Sequence, residues 1–216
     1  MKKLLSILSA SICSVCLLCS CEKPNEINTS VVPNLDLERY MGTWYEIGRY
    51  DISFEKGLVG VTANYKLLDN GMVQVINTGY KESLDGKIDI IEGKAKRQDK
   101  NATNGALKVA FFLDFYAQYN VMELAEDYTW ALVGSKTDKY LWILSRTPSL
   151  DTNTLEHILR LAANRGYDTS KILWVEQQNE ELRIENGEWR ILNKKADFFK
   201  SAFLFNIPNS SLQTPH

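Results

Sequence analysis

Histidine is nearly absent from this chain of 216 residues: His157 and His216 are the only two. A Ser–His nucleophile, a histidine-ligated haem and a histidine-containing zinc site each need imidazole at the reacting centre, and the strand-rich part of the chain offers none. Cysteine is confined to one end. All four, Cys13, Cys16, Cys19 and Cys21, fall within the first 21 residues. The remainder has no thiol for a disulfide, a nucleophile or a metal. A basic surplus is missing as well: 25 Lys and Arg stand against 27 Asp and Glu, for a formal net charge of -2. A generic nucleic-acid binder needs that surplus to neutralise phosphates. No glycine-rich phosphate loop occurs, and the pair Gly57 and Gly60 suits a flexible entrance loop better. At 24% charged and 44% hydrophobic residues, a wholly disordered chain is also excluded.

The beginning of the chain reads as an address. Lys2 and Lys3 precede an apolar stretch from Leu4 to Leu18, and no acid occurs before Glu22. That is the pattern of a secretory signal, too short and too serine-rich for a membrane-spanning helix. It ends in Leu18-Cys19-Ser20-Cys21, which resembles a bacterial lipobox. The resemblance implies cleavage after Ser20 and acylation of Cys21, and two or more acyl chains hold a protein stably on a membrane. Residues 1–20 are therefore expected to be a lipoprotein signal peptide, and 21–34, with two prolines and no apolar period, a flexible tether.

From Trp44 to about Tyr140 the pattern is alternation and turns. Val61, Ala63 and Tyr65 alternate with Thr62, Asn64 and Lys66. Asp69-Asn70-Gly71 supplies a hairpin turn, because Asn and Gly tolerate positive φ. Further strand-like runs cover residues 72–80, 88–97, 107–111, 116–124, 128–135 and 140–146. With a run at 42–50 they number eight, joined by loops mostly too short for crossover helices, so neighbours must be antiparallel. Closing such a set into an up-and-down barrel removes its exposed edges. After Pro148, Leu155, Ile158, Leu159 and Ala162 recur at helical spacing. Asn153 and Glu156 have the spacing of a capping box, and Gly166 suits the helix end. This helix is expected on the barrel's outside, followed by a ninth strand at 172–176. Residues 179–216, with Phe198, Phe199, Phe203 and Phe205, read as an extension with one apolar stretch, or as a membrane-surface helix.

Three motifs carry a family resemblance. Gly42-Thr43-Trp44-Tyr45-Glu46 opens the first strand after a short helical turn and resembles the Gly-x-Trp signature of lipocalins. Glu126-Asp127-Tyr128 stands where that family has a Thr-Asp-Tyr turn, with the threonine replaced. Arg146 ends the eighth strand in Leu144-Ser145-Arg146-Thr147-Pro148. The resemblance covers about residues 35–178 and is strongest to the bacterial outer-membrane lipoprotein branch related to apolipoprotein D, which the lipobox fits. It implies an all-β, eight-stranded antiparallel lipocalin barrel with a C-terminal helix outside. It also implies that Trp44 lies across a closed base with Arg146 stacked on it, structural residues together with Gly42, Asp127 and Tyr128.

Parity then nominates an inner wall. Val61, Ala63 and Tyr65 face inward on the second strand, and Leu107, Val109 and Phe111 on the fifth. Arg146 pointing in at the base puts Leu144, Trp142 and Tyr140 inward above it. Trp44 does the same for Glu46, Gly48 and Tyr50 by simple alternation. Tyr116, opening the sixth strand beside Asp114 and Phe115, is expected with Trp142 to offer the ligand a phenol and an indole as further lining. An eight-stranded barrel is filled by side chains or holds one small ligand, and the small Ala63 and Gly48 favour space. The expected occupant is a fatty acid, lysophospholipid or similar amphiphile, with no cofactor, no metal and no enzymatic activity. The alternatives are a haem or iron-chelate binder, for which Lys96, Arg97 and Lys108 would have to face inward, a lipid-modifying enzyme, and an interaction protein with a filled barrel. Partners are expected to be that ligand and the membrane through Cys21, with the chain a monomer or homodimer and no nucleic acid bound.

Overall fold

The computed structural model describes residues 27–178, 180–185 and 188–193. Asp36 starts the first element. Its carboxylate accepts from the backbone N–H groups of Glu38 and Arg39 at 3.0 and 3.2 Å, capping the single-turn helix α1 (Leu37–Tyr40). The chain then enters β1 (Gly42–Arg49), β2 (Leu58–Leu67), β3 (Val73–Lys81), β4 (Ile88–Arg97), β5 (Ala106–Ala110), β6 (Ala117–Leu124), β7 (Trp130–Gly134) and β8 (Leu141–Ser145). The turn between β2 and β3 uses Gly71 at φ +78°, and Leu68 N–H closes it on Met72 O at 2.8 Å. Each strand pairs antiparallel with its neighbour in sequence, and β1 pairs with both β2 and β8, which closes the barrel.

β1 divides its second edge between two partners. Gly42 to Tyr45 pair with β2, whereas Gly48 and Arg49 pair with β9 (Leu173–Trp174) outside the barrel. Between these halves the register against β8 shifts: Glu46 faces Leu144, and Gly48 faces Ile143. The extra residue, Ile47, is a β-bulge, which places two successive side-chain positions on one face. Alternation therefore reverses above Glu46. Gly48 faces out, where a Cβ would come within 2.9 Å of Ile172 and 3.1 Å of Trp174. Tyr50 also faces out, into the cluster of Ile47, Met122, Leu132, Ile143, Ile158 and Tyr167. Arg49 turns in. The expectation that Gly48 and Tyr50 face inward is thus corrected, and the bulge is the reason.

α2 (Thr152–Asn164) lies over this outer cluster, with Ile158 and Ala162 fully buried. Its N-cap is Asp151, which accepts from Thr154 N–H at 3.0 Å. Asn153 is already helical, so the capping-box expectation was two residues late. Gly166 at φ +91° ends the helix, with Tyr167 N–H donating to Ala162 O at 3.1 Å.

Two expectations about the flanks change. Residues 27–34 are no free tether. Val32 N–H donates to Val121 O at 3.0 Å, Gly105 N–H to Val32 O at 2.9 Å, and Asn28 N–H to Arg165 O at 2.8 Å. The Arg165 guanidinium in turn holds Asn28 O, Ser30 O, Met122 O and Glu123. In the C-terminal extension, β10 (Glu180–Glu185) and β11 (Glu188–Asn193) form an antiparallel hairpin, where the sequence suggested irregular chain or helix. The signal peptide, Cys21 and the phenylalanine-rich stretch lie outside the described residues.

Candidate functional site: a calyx with a sealed base

The base of the barrel is closed by charge on aromatic. Trp44 is fully buried, and its indole donates to Tyr40 O at 2.8 Å. The Arg146 guanidinium lies 3.7 Å from the Trp44 ring centre, close enough for a cation–π contact. It donates to Thr43 O at 2.8 Å, to Arg39 O at 2.9 Å and to Tyr40 O at 3.1 Å. Gly42, at φ +91°, leaves its missing Cβ position 3.5 Å from that guanidinium. Tyr128, also at positive φ, places its ring 4.0 Å under Arg39 and accepts from Asp36 N–H at 3.0 Å. Asp127 turns the preceding loop by accepting from the hydroxyl and N–H of Thr129.

Above this floor lies a cavity of about 560 Å³, within the size range of small-molecule sites. A barrel filled with side chains is therefore set aside. Ala63, Tyr65, Leu107, Val109, Phe111, Tyr140, Trp142 and Leu144 line it, so parity located most of the nominated wall. Three nominated residues stand elsewhere. Tyr50 lies under α2, its hydroxyl donating to Asp168 O at 2.9 Å. Val61 is buried, with its methyl 3.2 Å from the Cβ position of Gly79, and is not part of the lining. Tyr116 lies outside the wall, where the ammonium groups of Lys96, Lys108 and Lys94 approach its ring at 4.4, 5.7 and 6.0 Å. Its placement in the cavity lining is corrected: the hairpin end between β5 and β6 turns it away from the interior.

That geometry also keeps the basic groups of β4 and β5 out of the cavity lining, Arg97 by its place on the inner face at the closed end beside Leu107. Lys96 and Lys108 are on the Tyr116 side, and Arg97 donates to Asn104 O and Leu35 O at 2.9 and 2.8 Å. Lys136, at the mouth, is the basic residue in the lining. Asp114 at the rim is engaged with Lys94 at 2.8 Å, and Glu123, toward the closed end of β6, with Arg165 at 2.8 Å.

Two polar groups stand in the cavity, of which parity named only Tyr65 and Glu46. At the bottom, Tyr119 OH joins Tyr40 OH at 2.8 Å and Tyr65 OH at 3.1 Å. Burial pushes all three phenols up, Tyr65 to about 12, so they stay neutral. Higher on the wall, Glu46 and Glu55 line the cavity with Arg49 held between them. Arg49 Nη1 meets Glu46 Oε1 at 2.6 Å, Nη2 donates to Glu55 O at 2.8 Å, and Nε lies 3.6 Å from Glu55 Oε2. Trp142 donates its indole N–H to Glu55 Oε2 at 3.2 Å. Two buried carboxylates share one guanidinium. Burial and the negative charge of Glu55 outweigh Arg49 and push Glu46 up to about 8, and burial raises Glu55 too. The pair therefore retains a proton at neutral pH. Glu46 was legible from alternation. Arg49 needed the bulge, and Glu55 comes from the 3-10 turn Ser53–Glu55 in the β1–β2 loop, where no period operates.

The mouth is apolar. Phe54, Phe112 and Phe115 edge the opening together with Thr137 and Tyr140. The arrangement offers a dry, aromatic-walled pocket, open at one end and sealed at the other.

Comparison with known proteins gives the same picture. A family model described as a lipocalin-like domain matches residues 35–177. The outer membrane lipoprotein Blc of Escherichia coli strain K12 is 45% identical over 162 residues, covering 74% of this chain and 90% of that protein. Apolipoprotein D of Rattus norvegicus is 37% identical over 158 residues, covering 69% and 80%. Among solved structures, insecticyanin from the tobacco hornworm Manduca sexta aligns with a TM-score of 0.57 at 22% identity, covering 69% of this chain and 84% of that one, a likeness of fold. By the match along 35–177 and by these relatives, the chain belongs to the lipocalin family.

Proposed function

We propose that this chain is a lipid-anchored lipocalin of the bacterial outer membrane that reversibly binds a fatty acid, lysophospholipid or similar amphiphile. The observation that carries the reading is the cavity of about 560 Å³ with its apolar, aromatic wall and sealed base. The lipobox-like Leu18-Cys19-Ser20-Cys21 and the outer membrane lipoproteins among its relatives support the location.

The driving force is desolvation. Each buried methylene contributes about 0.8 kcal/mol. A long chain thus reaches the roughly 8 kcal/mol of micromolar affinity before ordering costs are subtracted. Charge sets the orientation. An anionic head group at the height of Glu46 and Glu55 would meet a buried carboxyl pair that carries negative charge. The Arg49 Nη atoms are committed to Glu46 Oε1, Glu55 O and Leu58 O, with only Nε, 3.6 Å from Glu55 Oε2, lacking a hydrogen bond. The acyl chain therefore runs down toward Tyr65 and Tyr119, and the head group stays at the mouth near Lys136 and Thr137. The amphiphile is held or handed on without chemistry: the pocket presents no nucleophile–base pair.

Mass spectrometry of the protein extracted natively, lipids included, tests this reading directly. A single-chain amphiphile in the complex is expected. An empty pocket that also ignores long-chain fatty acids and lysophospholipids in titration overturns it.

A further inference from the structure

The rim of the cavity exposes more apolar surface than a water-facing rim needs. Phe54 is 62% exposed, Phe112 72%, Leu113 81% and Phe115 78%. Three of them belong to the tip of the β5–β6 hairpin, and Phe54 sits in the β1–β2 loop of the same open end. Large exposed apolar patches mark interaction surfaces. Leu113 adds a second sign. It has φ +49°, a left-handed conformation that glycine or asparagine adopts at lower cost. At 81% exposure its side chain is not part of any core cluster among the described residues, so the described fold gains little internally from a leucine there. The patch continues onto β4. Its half from Ile88 to Gly93 pairs with β3, and its pairing with β5 begins at Lys94. Ile88 and Ile90 are exposed on that half.

Charge and tether indicate what covers this rim. Lys94, Lys96 and Lys108 converge on Tyr116 directly beside the hairpin tip, and Lys136 stands across the mouth. Asp114 offsets one of them. Aromatic and aliphatic tips flanked by lysines match a bilayer interface that carries anionic phosphate groups. The anchor also keeps the barrel as a whole close to such a surface. Val32 and Leu35 are bound to Gly105 and Thr103 at the closed half of the barrel, so the six steps from Cys21 to Ile27 have to run along the wall for the rim to meet the same bilayer. At 3.3–3.6 Å per residue they span at most about 20 Å. A patch too weak to hold a free protein on a membrane suffices when an anchor already supplies a high local concentration.

We infer that the open end of the barrel docks on the phospholipid bilayer that holds the anchor. Phe112, Leu113, Phe115 and Phe54 enter the interface, so that an amphiphile passes between membrane and cavity without crossing water. This goes beyond ligand binding and does not depend on which amphiphile is bound.

The test uses the mature, lipidated full-length chain in vesicles of phosphatidylethanolamine and phosphatidylglycerol. An environment-sensitive dye is attached at Leu113→Cys and, separately, at Lys100→Cys in the β4–β5 loop of the closed end. With Cys21 acylated, the introduced thiol is the one that labels. The expected result is a blue shift and quenching by lipids brominated along the acyl chain at position 113, and neither at position 100. Leu113→Glu, outside the cavity lining, should leave fatty-acid affinity in solution unchanged and slow transfer from vesicles to protein several-fold. Leu113→Asn, which relaxes the backbone, should slow it as well. Equal quenching at both dyes, or none at 113 with the anchor intact, overturns the docking. So does a dye at 113 already shielded without vesicles, with the mass doubled, which would assign the rim to a second copy of the chain. Normal quenching at 113 with no amphiphile bound would sink the proposed ligand reading and leave the docking standing.

Discussion

At the closed end of the barrel, a fully buried tryptophan carries a guanidinium with four hydrogen-bonded carbonyls around it. At the open end, phenylalanines and a leucine of comparable apolar content stand mostly in solvent. The strands are continuous between the two, so the contrast comes from side chains and loops. One end converts aromatic surface into fold stability, and the other holds aromatic surface in reserve for something outside the fold. Stability and binding should therefore respond separately to mutation along the barrel axis.

The sharpest test of that separation is at the base. Trp44→Ala removes a buried aromatic and should cost about 3–5 kcal/mol of unfolding free energy. Arg146→Ala should destabilise less. The double mutant should fall short of the sum, because the two side chains contact each other. Denaturant melts of the four proteins measure this. Additive losses, or wild-type melting in Trp44→Ala, would erase the distinction between the ends.

Midway along the wall, the effect should move from stability to affinity. Trp142 lines the cavity and its indole N–H binds Glu55. A long-chain fatty acid should quench its fluorescence, and Trp142→Phe should remove most of that response, while the sealed Trp44 responds less. Trp142→Arg should abolish apolar binding with strand content intact, since a charge would have to be desolvated to admit the chain. A folded Trp142→Arg protein with unchanged affinity would move the ligand out of the calyx.

The same wall should give the protein a pH signature. Glu46 is held near pKa 8, above its ordinary 4.5. Between those values the folded state keeps a proton that the unfolded state has lost. Stability from this group is therefore full below about pH 4.5 and declines as pH rises toward 8, by up to about 1.4 kcal/mol per pH unit for one proton. Glu46→Gln should flatten that decline, and a melt series across the window reads it. A decline of the same slope in the variant would assign the proton elsewhere. Asp127, Asp151 and Asp168, held below their ordinary range by hydrogen bonds, act only at lower pH and with the opposite sign.

Most of the barrel was legible because strand parity and turn residues are local signals. Ala63, Tyr65, Leu107, Val109, Trp142 and Leu144 fall on the cavity wall by counting in twos. The misplacements occur where counting fails. One extra residue at Ile47 reversed Gly48, Arg49 and Tyr50. The end of the β5–β6 hairpin carried Tyr116 outside. Glu55 and Phe54 come from a loop with no period at all. The docking of residues 27–34 was hidden for another reason: it is made by backbone groups and by Arg165, 137 residues along the chain from Asn28, and no local pattern announces it.

The smallest effects fall to two tyrosines three positions apart, which makes them a fine probe of where the wall stands. Tyr119 faces the interior and its hydroxyl serves both Tyr40 and Tyr65. Tyr119→Phe leaves two buried phenols without their shared partner, a loss of about 1–3 kcal/mol for each unsatisfied group at the upper end. Their freedom to bond each other or a ligand head group reduces it. Tyr116 faces the lysines outside. Tyr116→Ala removes a half-buried ring and its cation–π contacts, worth about 0.5–1 kcal/mol at such a site, and touches no cavity atom. Fatty-acid affinity should be unchanged in Tyr116→Ala, with the melting temperature lowered slightly, whereas Tyr119→Phe should lower melting clearly. Loss of affinity in Tyr116→Ala without loss of fold would show that the ligand reaches past the hairpin tip, and the boundary between wall and rim would have to be redrawn there.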